Sequence, residues 1–235
     1  MRKIRAVFTK QTLSFIRNPA RWGVPVAFLF IPFMFLLLVP GMLESDEVVN
    51  IVPQFTIMFI GISMIGSSAG FITEDRMTMN LRFMGMAGVK PYQYLIGTSA
   101  TILLVSLIAL ILFGLMMGHT GGAMVNFLTI SMLGAACSML LGITLSLSKI
   151  APFTPIVGLL LGVLPIMGDF NVPHLTEFFS FTFTQQINYA MRKELTVLPT
   201  EAFQVIAINF VVLLAVFLLI NARTGLDGEK RMARG

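Results

Sequence analysis

Tyr94-Leu-Ile-Gly-Thr-Ser-Ala-Thr-Ile-Leu-Leu-Val-Ser-Leu-Ile-Ala-Leu-Ile-Leu-Phe-Gly-Leu-Met-Met-Gly118 contains no Asp, Glu, Lys or Arg. As a helix, rising about 1.5 Å per residue, this stretch would span roughly 37 Å. A bilayer hydrocarbon core is about 30 Å thick. The stretch therefore predicts a membrane-crossing helix. Five other stretches read the same way: 22–42, 51–72, 125–148, 151–168 and 202–222, again without a single acid, Lys or Arg. The predicted fold class is an all-α integral membrane protein with six transmembrane helices.

Composition agrees. Hydrophobic residues make up 56% of the chain and charged residues 11%, and the mean hydropathy is +0.88. A soluble globule of that composition lacks polar surface. Six spans and short loops nearly use up the 235 residues, so the expectation leaves no room for a soluble catalytic domain. The single cysteine, Cys137, lies inside an apolar stretch and has no intrachain disulfide partner. The first apolar run follows a basic segment and is too long for a cleavable signal peptide.

Charge placement sets the topology. Of the 16 Lys and Arg, fourteen fall in residues 1–21, the loop 73–93, position 149 and the tail 223–235. The opposite loops, 43–50, 119–124 and 169–201, hold only Arg192 and Lys193. Excess Lys and Arg in short loops marks the cytoplasmic side. Both termini are expected there, which requires an even number of spans. The net charge of +5 thus reports orientation, and nucleic acid is not an expected partner.

Residues 1–21 read as an amphipathic helix lying in the headgroup layer. Ile4, Phe8 and Phe15 share one face, with Lys3, Lys10 and Arg17 roughly opposite. Asn18-Pro19 should break it. Pro32 is expected to kink span one. Gly134, Ser138, Gly142 and Ser146 recur every four residues and predict a close helix contact. Segment 169–200 is too polar to cross, yet rich in aromatics. It suits an outer interface or a polar re-entrant hairpin, with an amphipathic helix over 184–195. Residues 22–222 form the transmembrane domain, and 223–235 a charged cytoplasmic tail.

Chemistry inside the membrane is not expected. The spans carry no ionisable acid or base, which an intramembrane enzyme or proton-coupled carrier would need. His119 and His174 lack metal-ligand spacing. Neither HExxH, GxSxG nor the phosphate-cradling GxxxxGK[ST] occurs. No catalytic residue and no metal ligand is assigned. Uphill movement of a cargo would need energy from a partner.

The loop after span two is the most specific segment. It opens on Phe71-Ile-Thr-Glu74-Asp75-Arg76 and continues through Asn80-Leu81-Arg82-Phe83 to Gly88-Val-Lys90-Pro91-Tyr92. A short helix over 78–86 would carry Met79, Leu81, Phe83 and Met84 as apolar knobs beyond the membrane, and such a surface needs a cover. This loop resembles the signature of ABC type 2 transporter permeases: acids, a basic residue, a short Leu-bearing helix, then Pro and an aromatic. Glu74, Arg76, Leu81, Pro91, Tyr92 and Gly97 match it. Asn80 departs from an acid common there, and Gly88-Val-Lys90 replaces small hydroxyl residues. The layout of elbow helix, six spans and outer excursion is also similar.

The resemblance implies a permease subunit of an ATP-driven exporter in a bacterial plasma membrane. A second permease, identical or different, and two cytoplasmic ABC ATPase subunits would complete it. ATP and Mg would sit on the ATPases, with no cofactor on this chain. Residues 74–90 would be the coupling helix, through Glu74, Asp75, Arg76, Met79, Leu81, Arg82 and Phe83. Cargo, a peptide such as a bacteriocin, a drug or another amphipathic molecule, would pass between permeases along spans two and five. Phe55, Met58, Phe59, Met64, Phe153 and Leu160 are the wall residues that picture gives. Two alternatives stand beside it: a non-transporting membrane assembly or immunity protein, and, with less support, an intramembrane enzyme.

Overall fold

The computed structural model describes residues 2–38, 46–148, 150–167, 179–192 and 195–224. Every regular element among them is helical. Among the described residues, four helical stretches are long and apolar enough to cross a membrane: Ile51–Met77, Pro91–Met116, Gly121–Leu147 and Thr200–Asn221. Two apolar helices are shorter, Gly23–Leu38 and Ala151–Ile166. At 16 residues each, they would extend about 24 Å, less than a hydrocarbon core. The expected end of span one, 39–42, lies outside the described residues.

In chain order the helices are α1 (Arg2–Arg17), α2 (Pro19–Leu38), α3 (Asp46–Met58), α4 (Met64–Met77) and α5 (Asn80–Met86). Then come α6 (Pro91–Met116), α7 (Gly121–Leu147), α8 (Thr154–Met167), α9 (Phe183–Arg192) and α10 (Thr200–Thr224). A π-helical turn, Phe59–Ser63, joins α3 to α4 without a break. Its extra residue rotates the helix so that Phe59, Ile60, Gly61 and Ser63 are all buried. No local sequence pattern marks this turn.

Small residues bring the helices together. On α7 the buried row Gly134, Ser138, Gly142 and Ser146 is the one its spacing predicted. A Cβ on Gly142 would sit 2.5 Å from the Ile65 carbonyl oxygen of α4 and against Ser68 Oγ. One on Gly61, in the π turn, would lie 2.6 Å from both Cα and N of Gly162 on α8. Without lipid–helix hydrophobic contrast, close backbone packing of this kind is the main source of bundle cohesion. Phe59, Phe113, Phe127 and Ile143 fill the centre.

Asn18-Pro19 separates α1 from α2, as expected, whereas the prolines inside α2 and α8 leave those helices continuous. Pro25 and Pro32 lie within α2 and face the bundle. Pro165 lies in the last turn of α8, and its carbonyl accepts 2.9 Å from Asn188 Nδ2 of α9. A side chain thus satisfies one of the orphan carbonyls of a helix end. α9 is sunk into the bundle rather than laid on it. Thr184, Gln185, Ile187 and Asn188 are buried, and Ile187 Cδ1 fills the space above Gly134. The expected amphipathic helix over 184–195 is therefore Phe183–Arg192. Residues 168–178 of the same segment lie outside the described residues.

Candidate functional site

The expected end of span two at residue 72 is overrun. α4 continues to Met77, so Glu74, Asp75 and Arg76 ride on its last turn instead of a loop. From Ile51 the continuous helix is 27 residues long, about 40 Å. It exceeds the hydrocarbon thickness, which lets its charged end stand at or beyond the headgroups.

Asp75 is completely buried, and four donors saturate its carboxylate. Lys10 Nζ and Asn80 Nδ2 each donate to Oδ1 at 3.1 Å. Gln11 Nε2 and Tyr94 Oη donate to Oδ2 at 2.5 and 2.8 Å. An ionised carboxylate offers about four acceptor positions, so this one has none left for a partner. The knot ties together α1, α4, α5 and α6. Gln11 Nε2 also reaches Thr98 Oγ1 at 3.4 Å.

The neighbouring charges are used inside the chain as well. Glu74 pairs with Arg21, whose Nε donates to Oε2 at 2.8 Å. The same guanidinium lies 4.5 Å above the Phe71 ring, which stacks on Phe15. Arg76 Nη1 donates to the Ser146 carbonyl at 2.8 Å, capping the C-terminal turn of α7. Lys3 Nζ donates to the Gly88 carbonyl at 2.6 Å.

α1 meets the bundle with a different face from the one its pattern pointed to. Val7 and Gln11 are its buried residues. Gly97 of α6 makes the approach possible, because a Cβ there would lie 2.7 Å from Val7 Cγ1 and 3.1 Å from the Phe8 nitrogen. Lys3 and Lys10, expected on an outward basic face, turn to the chain. The reason is Asp75: a buried carboxylate draws the nearest ammonium in, and helical spacing carries Lys3 with it.

α5 is a shelf beyond this knot, with no fully buried residue. Leu81 and Met84 lean on the bundle, whereas Met77, Met79, Phe83 and Met86 face away from it. Phe83 is 60% exposed. Gly88, at φ +70°, ends the helix. Its N–H bonds Gly85 O, and the Val89 N–H bonds Met84 O, the paired closure typical of a glycine-stopped helix. Met79 enters α5 at φ +58°, a left-handed conformation costly for a residue with a Cβ. Met79→Gly should therefore raise stability by about 0.5 kcal/mol, measured as a rise in thermal midpoint in detergent.

The seven residues expected to couple to a partner thus divide. Glu74, Asp75 and Arg76 hold the shelf in place. Leu81 fixes its underside. Met79, Arg82 and Phe83 are exposed. The six expected wall residues also separate. Phe59 and Met64 are in the core, Phe59 against Phe113 at 5.6 Å. Phe55 and Met58 are half-buried, while Phe153 and Leu160 are exposed. Two of the six thus lie inside the core and four at its edge or surface. Lys10, Gln11, Asn80 and Tyr94 were not singled out from the sequence as partners of Asp75, because no periodicity links them.

Among the described residues, no group of three or more His, Cys, Asp or Glu is placed to hold a metal ion. His119 packs on Phe127 at 5.4 Å, and burial lowers its pKa from the usual histidine value. His174 lies outside the described residues. No known protein family, curated protein or solved structure matches the chain.

Proposed function

We propose that this chain is the permease subunit of an ATP-driven exporter, coupled through α5 to a separate cytoplasmic ATPase. The observation that carries the reading is the shelf itself. A short helix with Phe83 and Met86 exposed, entered through the equally exposed Met77 and Met79, stands at the charged end of a membrane bundle, and a buried carboxylate braces it. An apolar surface of this kind needs a cover, and a braced one transmits force from whatever covers it. The resemblance of the loop to ABC type 2 permeases supplies the identity of the cover.

In this reading the short apolar helices α2 and α8 complete six spans, and both termini are cytoplasmic. A second permease and two ATPases form the working assembly, with ATP and Mg on the ATPases. Closure of the ATPase pair pushes α5. The knot passes the displacement to α1, α4 and α6 together, since all three hold Asp75. Cargo of the amphipathic kind, a peptide or drug, crosses between permeases.

Phe83→Asp is the sharpest test, because Phe83 is exposed and its loss leaves the fold intact. With an ATPase encoded beside the chain, co-purification should fall at least about tenfold, the effect of losing one apolar anchor at an interface. Cargo-stimulated ATP hydrolysis should disappear with it. A complex of undiminished yield and activity would remove α5 from the coupling role.

A further inference from the structure

We propose that the outward face of α1 is seated on anionic phospholipid headgroups. The inference rests on the membrane embedding of the bundle and not on transport. α1 contains five cations and no acid. Lys3 and Lys10 are engaged by Gly88 and Asp75. Arg2, Arg5 and Arg17 are exposed, without an ion-pair partner among the described residues. Between them on the same face stand Leu13, 45% exposed, and Ile16, 65% exposed. Arg2, Arg5, Thr9, Leu13 and Arg17 line an open groove of about 840 Å³. A water-facing helix has no use for the two aliphatic residues, and a purely apolar environment would not accept the three arginines.

The contacts of α1 with α6 and α4 order these residues by depth. Lys3 reaches Gly88, which precedes α6. Val7 packs on Gly97, Thr12 pairs with Thr101 at 3.4 Å, and Phe15 stacks on Phe71. Gly97 and Thr101 lie six and ten residues into α6, about 9 and 15 Å along it. α6 is 26 residues long, about 39 Å, and overhangs a hydrocarbon core by only a few ångströms at each end. Arg2 and Arg5 therefore stand at headgroup level and Leu13 and Ile16 at acyl level. Arg17 reaches back to the headgroups on its long stem. Three arginines around two aliphatic residues on one exposed face suit an anionic leaflet, and it is the face opposite to Val7.

Brominated lipids test it on the full chain in nanodiscs. The reporter is Thr9→Trp, in the middle of this face, in a Trp22→Phe background. Each arginine near an anionic surface contributes about fivefold, so three give roughly a hundredfold preference at the limit. Brominated phosphatidylglycerol should half-quench the tryptophan at a far lower mole fraction than brominated phosphatidylcholine. The preference should shrink in high salt and vanish in Arg2→Gln/Arg5→Gln/Arg17→Gln. Protection of Cys137 from thiol reagents verifies that each variant is folded. Equal quenching by both lipids, or a preference that survives the triple substitution, overturns the proposal. Weak quenching by either lipid does so too, and assigns the face to water or to a protein partner.

Discussion

Asp75→Ala is expected to lower the stability of the bundle by about 3 kcal/mol. The carboxylate is wholly buried and accepts from Lys10, Gln11, Asn80 and Tyr94. Its removal strands the Tyr94 hydroxyl and leaves the Gln11 amide only its long contact to Thr98 Oγ1, both groups being buried. Each buried donor left unpaired costs about 1–2 kcal/mol. Lys10 behaves differently, because its side chain is 39% exposed and its ammonium can turn to water. Lys10→Met removes the cation from the buried carboxylate but leaves its three other donors, so it should cost less, about 1.5 kcal/mol. The molecule carries its own probe: Cys137 is its only cysteine and is fully buried. A thiol-reactive fluorophore reports unfolding as heating exposes it. Equal losses in the two variants would mean that the ion pair, not the hydrogen-bonded knot, holds this end together.

Gly61→Ala has an effect of similar size from a single methyl group. The added Cβ would lie 2.6 Å from Gly162 Cα and N, both backbone atoms, so no flexible side chain can yield. α8 must move away from the π turn, opening the contacts around Gly158 and Ile62 as well. Overpacking of this sort costs about 3 kcal/mol. Gly66→Ala is the control. It lies in α4, the adjoining part of the same continuous helix, with nothing within 4 Å of its Cβ position. There alanine should be neutral or stabilising by up to about 1 kcal/mol. The same Cys137 assay separates the two. If both variants melt with the parent chain, the α8 contact is softer than its geometry.

Apolar stretches free of charge identified the membrane helices, because a bilayer imposes length and composition locally. The α7 row of Gly134, Ser138, Gly142 and Ser146 was legible for the same reason, since its four-residue spacing lies within one helix. Glu74, Asp75 and Arg76 were legible as charges at a membrane edge, but not as internal ties. Their partners Arg21, Lys10, Tyr94 and Ser146 lie 19 to 70 residues away. No pattern within a helix encodes such distances.

That this chain is helical and membrane-embedded, and where its charges collect, is written in its local composition. Hydrophobic length and charge exclusion act one segment at a time. Which face of α1 meets the bundle, how far α4 carries its charges past the expected span end, and which knobs of α5 stay free emerge from packing between helices. Those outcomes follow from where one buried carboxylate finds four donors on other elements. Satisfying a buried charge is a property of the assembled fold.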